Sequence, residues 1–387
     1  MHQGHSMIKT FVGLAIVVAM IGSATRVAQA QTYKSLYSFS GSDGATPQGD
    51  LLLDSAGNLY GTTRAGGASD QGTIFKVDSN RHLTTLHNFD YTNGATPAAG
   101  LFLDSAGVLH GTTSEGGSNA CLPGGCGVIF SIDAVGVYTV EYFFTGADGA
   151  TPMSTLVSDA SGNLYGTTRF GGTVGRGTVF KLDTQGTLTT LYNFLGGEDG
   201  MSPFAGLVGD GAGTFYGTTE AGGGPFNYGT VFAVDSSGNE SIVFPFTTRP
   251  EGNNPLAGLI RDDAGNLYGT TGSGGTNGGV VFKVDSKGNE TVLHAFRSAD
   301  GRFPFAKVIR DSAGNLYGTT HQGGALGYGA VFRLEPSGKL RVLHSFLGGR
   351  DQGAPLSGLV RDSAGNLYGT TSRGGVNQSG TIFRISF

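Results

Sequence analysis

Between residues 51 and 89 four short apolar runs, LLLD, NLYGTT, GTIFKVD and LTTLHNF, are separated by the polar or glycine-rich segments SAG, RAGGASDQ and SNRH. The runs are rich in β-branched and aromatic residues, are bounded by Gly, Asp, Asn and Ser, and carry no helical period. That pattern predicts four antiparallel strands joined as hairpins, lettered A to D below. The pattern returns along the chain. The first Gly of each [Tyr/His]-Gly-Thr-Thr is Gly61, Gly111, Gly166, Gly217, Gly269, Gly318 or Gly369, giving spacings of 50, 55, 51, 52, 49 and 51 residues. Four strands per unit and a period near fifty are the arithmetic of a propeller blade.

The chain ends distinguish a closed ring from an open solenoid. The last unit stops after its strand C, GTIFRISF, while residues 33–39, YKSLYSF, match the strand D of other units such as LTTLYNF. Pairing the two completes the last unit and covers edges that otherwise invite aggregation, whereas a solenoid would want polar capping repeats. The expected fold is therefore all-β: a seven-bladed β-propeller with four antiparallel strands per blade, closed by the N-terminal strand. Phe75, Phe130, Phe180, Phe232, Phe282, Phe332 and Phe383 recur in strand C. Phe39, Phe89, Phe144, Phe194, Phe246, Phe296 and Phe346 recur at the end of strand D. Blades stack face to face, so these rings are expected in the core, with the Gly of YGTT leaving room for them.

The repeat pattern, N-L-Y-G-T-T, then G-G, G-T-[IV]-F-K, D-x-x-G and L-x-x-F, resembles the GloVer (Gloeo_Verruco) tandem repeat of exported bacterial proteins over residues 33–387. The resemblance implies a repeat architecture and export. It carries no catalytic residues onto this chain. Kelch propellers have units of similar length, but they place a tryptophan in each, and this chain has none.

Composition changes the picture in three ways. With 70 Gly, 12 Pro, 25 Phe and 14 Tyr, and no three-residue period, the chain is neither collagen nor a disordered linker. Residues 1–30 contain Lys9, an apolar run at 11–21 and the small-residue site Ala28-Gln29-Ala30. They read as a secretory signal peptide cleaved near Ala30, too short in its apolar part to span a bilayer, and leave 31–387 as a single domain. No later run is long enough to span one, so periplasmic or extracellular residence is expected, as a monomer. Without Lys9 and Arg26 the balance is 22 basic against 29 acidic side chains, the wrong sign for nucleic acid. Cys121 and Cys126 enclose a short loop and are expected to form a disulfide in an oxidising compartment, because a zinc site would want more ligands.

Residues that the fold requires must recur in every blade, so departures from the repeat are the candidates for function. With strand A innermost, the D-to-A and B-to-C loops share one face. Every D-to-A loop ends in a proline (Pro47, Pro97, Pro152, Pro203, Pro255, Pro304, Pro355), preceded in most units by Asp-Gly or Asn-Gly. This is turn chemistry rather than a calcium loop, and neither a metal nor a cofactor is expected. The Asp of DSAGN (Asp54, Asp104, Asp159, Asp210, Asp262, Asp311, Asp362) is likewise expected to organise a hairpin. After Thr-Thr the units diverge to Arg64, Ser114, Arg169, Glu220, Gly272, His321 and Ser372. Phe170, Phe226, Tyr228, Tyr328, Arg373 and the disulfide loop depart on the same face. Aromatic rings beside Arg, Glu and His suit stacking on, and hydrogen bonding to, a sugar or peptide. His87, His294, His344 and His110 read as structural, and Glu220 with His321 is a conceivable acid–base pair across the channel. The leading expectation is a non-enzymatic binding module for a glycan, peptide or surface partner. The alternatives are a secreted lyase or hydrolase acting on extracellular polymer, and a structural envelope protein.

Overall fold

A computed structural model describes residues 1, 31–118, 120, 121, 123–349 and 353–387, and residues 31–387 form a seven-bladed β-propeller. The predicted signal peptide, residue 1 apart, lies outside the described residues. Blade six shows the plan: A at Ile309–Arg310, B at Leu316–Thr320, C at Ala330–Leu334 and D at Leu340–Ser345, all antiparallel. Strand A holds only two residues in each blade, shorter than the apolar run suggests. The residues before it leave the ladder to line the central channel, where glycine backbones of neighbouring blades approach each other. A Cβ on Gly49 would lie 2.2 Å from the Ala99 carbonyl oxygen.

Blade seven is closed as the chain ends predict. Thr32–Ser38 pairs with Thr381–Ser386 in the register Thr32↔Ser386 to Ser38↔Thr381. The core lies between blades. The terminal Phe of each strand D meets the strand C Phe of the next blade edge to face, from Phe39–Phe75 at 5.1 Å round to Phe346–Phe383 at 5.4 Å. All fourteen recurrent rings are fully buried. The YGTT glycine is what admits them, because a Cβ at Gly318 would stand 2.7 Å from Cζ of Phe332, and the other six are as tight. In six of the blades the first Thr of the motif, also buried, donates across the seam to the next blade, as in Thr62 Oγ1 to the Ala99 carbonyl at 2.9 Å and Thr319 Oγ1 to the Ser357 carbonyl at 2.8 Å.

Each strand D bulges at one residue: Leu36, Leu86, Glu141, Leu191, Val243, Leu293 or Leu343. A bulge re-aims its side chain. Six of these residues are apolar and pack onto buried clusters shared with the next blade. Glu141 is the exception. Tight packing at the glycine makes a clear expectation: Gly318→Ala lowers stability by about 1–3 kcal/mol through overpacking against Phe332. Ser312→Ala, in an exposed turn, stays within about 0.5 kcal/mol of the parent. Urea unfolding midpoints measure both.

Candidate functional site

The loop face is organised by an unusual backbone. The residue before each of the seven prolines, Thr46, Thr96, Thr151, Ser202, Asn254, Phe303 or Ala354, is left-handed with φ between 50° and 58°. Such a conformation costs roughly 1–2 kcal/mol for a non-glycine residue. Its amide offsets the cost by donating to a carbonyl of the preceding blade, as from Thr96 to Gln71 at 2.9 Å and from Thr46 in blade one to Ser379 in blade seven at 2.8 Å. The proline then rests on the glycine that opens strand C of that preceding blade. The acids of these loops serve their own turns: Asp148 accepts from the Thr145 amide at 2.9 Å and the Tyr142 hydroxyl at 2.7 Å. Among the described residues no group of three or more His, Cys, Asp or Glu is placed to hold a metal ion.

Beyond the prolines the chain enters the channel, a cavity of about 140 Å³ whose mouth is rimmed by Met153, Phe204, Leu256, Phe305 and Leu356. At the next constriction four blades have glycine, but Asp50 and Lys307 form an ion pair at 3.1 Å, and Asp50 also accepts the Gly358 amide. Sequence reasoning passed over Asp50, Thr155 and Lys307. The signal was there, in the position before the first apolar residue of strand A, where Gly100, Gly206, Gly258 and Gly358 set the rule.

Around this mouth the predicted residues fall into separate groups. Arg169 pairs with Glu220 at 2.9 Å, and its guanidinium carbon lies 5.0 Å from the Phe170 ring and 5.2 Å from Phe204. Glu220 thus pairs with Arg169 and makes no contact with His321. Phe226 and Tyr228 stack at 5.7 Å, with Phe226 well exposed and Tyr228 anchored in the seam between blades four and five. Arg64 is exposed on blade one, with no ion pair among the described residues. Ser114 and Ser372 are buried and donate to backbone carbonyls, which makes them structural.

His321, Tyr328 and Arg373 come together in a cavity of about 310 Å³ between blades six and seven. Tyr328 is 51% exposed, and its ring lies where a Cβ on Gly348 would intrude at 2.7 Å. The Phe305 ring is 5.5 Å from His321. Burial lowers the His321 pKa; a hydrogen bond to the Pro355 backbone opposes this and the charge of Arg373 adds to it, so the imidazole is neutral near pH 7. The corresponding seam between blades two and three forms a cavity of about 600 Å³ with Tyr91, Glu115, Phe170 and the disulfide loop. Cys121 and Cys126 are bonded as expected.

On the opposite face DSAGN is scaffold. Asp311 accepts from the amides of Ala313 and Asn315 at 3.0 and 2.9 Å, from Asn315 Nδ2 at 2.9 Å and from the Tyr317 hydroxyl at 3.0 Å. Burial raises its pKa, but these hydrogen bonds outweigh burial and hold it below the usual carboxylate value. Blade two departs from this plan at Val108, which replaces the Asn, and at two residues that act together. His110 replaces the repeat Tyr and Glu141 replaces the bulged aliphatic, and the two meet: His110 Nε2 lies 3.3 Å from Asp104 and Nδ1 lies 3.3 Å from Glu141, beside a cleft of about 680 Å³. Reading His110 alone as a structural stand-in for Tyr missed the coupled change at Glu141. Burial lowers the His110 pKa, but Glu141 and then Asp104 outweigh it, and the net shift is upward. The stabilisation is therefore fully present below about pH 6.5 and lost as the pH rises through the raised folded value. Thermal midpoints should show this loss as the pH rises above about 6.5, and the repeat-restoring pair His110→Tyr with Glu141→Leu should abolish it. His110→Leu alone, which strips Glu141 of its partner, should cost about 1–3 kcal/mol.

A family model described as the Gloeobacter/Verrucomicrobia repeat matches residues 19–160, 122–313 and 212–387. No curated protein matches the chain. Among solved structures, the extracellular domain of a protein described as a one-component system from B. thetaiotaomicron is similar with a TM-score of 0.57 at 11% identity. The match covers 90% of this chain and 39% of that one. The present chain thus spans about two fifths of that protein's length. A protein described as a 6-phosphogluconolactonase from Bacteroides uniformis has a TM-score of 0.49 at 16% identity, covering 76% of this chain and 83% of that one. At these identities the likeness is one of fold.

Proposed function

We propose, for a chain that belongs to the Gloeobacter/Verrucomicrobia repeat family, that it is an exported propeller whose loop face binds a glycan, peptide or surface partner. Export is supported by Lys9, the apolar run and the Ala28-Gln29-Ala30 site, and by the Cys121–Cys126 disulfide, a bond suited to an oxidising compartment. On this reading residues 31–387 are the mature domain, acting as a monomer without a cofactor. No helix of the described residues is long and apolar enough to cross a membrane.

The observation that carries the binding role is where the departures from the repeat lie. His321 and Tyr328 from the B-to-C loop of blade six and Arg373 from that of blade seven line one cavity, while Arg169, Phe170 and Glu220 meet at the channel rim. Loop variation on a rigid scaffold is how binding surfaces are built. Binding is preferred to catalysis because the one acid expected to serve His321, Glu220, is paired with Arg169. A glycan and peptide array probed with the full chain tests the role. Ligands found should lose at least about tenfold in affinity, roughly 1.4 kcal/mol, in Tyr328→Ala with Arg373→Gln or in Arg169→Gln with Phe170→Ala. Binding untouched by either pair contradicts the proposal, and turnover of a polymer by the parent chain favours the hydrolase or lyase reading instead.

A further inference from the structure

We infer that the cavity between blades six and seven takes a carboxylated sugar, a uronate unit of an acidic polysaccharide. The inference rests on the loop face being the binding face and names the ligand class for one seam of it. Three groups that differ in chemistry converge there. Arg373 is exposed and, unlike Arg169, has no acid partner among the described residues, so its guanidinium fork is available to a carboxylate. Tyr328 offers a ring face, and Gly348 and Gly353 fix its position, since a Cβ at either would come within 2.7 Å of that side chain. An aromatic plate of this kind stacks on the apolar face of a pyranose.

The third group is His321. Its Nδ1 is buried and has no hydrogen-bond partner. Burial and the neighbouring Arg373 lower its pKa, so the ring lines the cavity as an uncharged wall rather than as a second cation. One guanidinium and a neutral imidazole match a single negative charge on a polar ring better than a phosphate dianion. A peptide C-terminus would use the guanidinium but has no pyranose face for Tyr328. The matching seam of blades two and three provides an internal contrast. There Phe170 stands in the place of Arg373 and Glu115 in the place of Gln322, which removes the cation and adds an anion.

The test is microscale thermophoresis of the full chain with trigalacturonate, trimannuronate, methyl-esterified trigalacturonate and neutral galactotriose. At least one free uronate should bind at least tenfold more tightly than the ester and neutral sugars, with affinity falling as salt rises. Arg373→Gln should erase that preference, and Arg373→Lys should retain part of it. Tyr328→Ala should weaken every sugar that binds, and Glu115→Gln should change nothing. Arg373 and Tyr328 are exposed, so thermal midpoints of these variants should match the parent and separate binding from folding. Equal affinity for acid and ester, no binding of either uronate, or an Arg373→Gln variant that keeps the preference overturns the inference. If a neutral sugar or a peptide with a free C-terminus then binds and is lost in Tyr328→Ala, the uronate assignment fails while the loop-face proposal stands. If no loop-face variant alters any ligand, both fail.

Discussion

The structure depends on one contact made seven times, the edge-to-face meeting of a strand D Phe with the strand C Phe of the next blade. Aromatic pairs of this geometry contribute about 0.5–1.5 kcal/mol beyond the area they bury. Their larger effect here is topological. A four-stranded blade buries its faces only against neighbours, so the last seam must close on the first, and Phe39 reaches Phe75 because the N-terminal strand is sewn into blade seven. Glycine in YGTT is the complement of that ring. It sits on an ordinary strand backbone and is required by the ring's volume, not by conformational freedom.

The same seams decide where function has room to vary. Inside the ring each position is fixed by a Phe, a buried Thr or a left-handed residue before proline, and a change at one blade strains two. The loops that leave the seams toward the channel mouth carry no such obligation. They are held at their bases by inter-blade amide bonds, while side chains such as Tyr328 and Arg373 are exposed above them. A rigid base below variable side chains is the arrangement in which an exposed Tyr stands beside an Arg with no acid partner among the described residues, as at Tyr328 and Arg373, without cost to the fold.

Much of the fold was legible in the sequence because a repeat reports its own constraints. Seven agreeing copies separate the Asp of DSAGN and the Phe rings, which every blade needs, from Arg169, His321 and Arg373, which none needs. The displaced strand D was readable because only a closed ring explains it. Besides Asp50, Thr155 and Lys307 at the channel, three features were not read. The left-handed backbone before each proline escaped because Thr, Ser and Phe do not announce such a conformation, and only the geometry of the seam imposes it. The pairing of Arg169 with Glu220 instead of Glu220 with His321 depends on which blades are adjacent around the mouth and how far the side chains reach. The coupled exchange of Tyr for His110 and an aliphatic for Glu141 was visible residue by residue, but their contact is made by a bulge that the strand pattern does not reveal.

Closure by the N-terminal strand makes the last seam equivalent to the other six. Hydrogen–deuterium exchange of the full chain, read at Thr32–Ser38 and Thr381–Ser386 against Leu188–Asn193 and Thr178–Leu182, tests it most directly. Both pairs of strands should exchange slowly and together, in one cooperative unfolding. Rapid exchange confined to the terminal pair, with the other blades still protected, would contradict it.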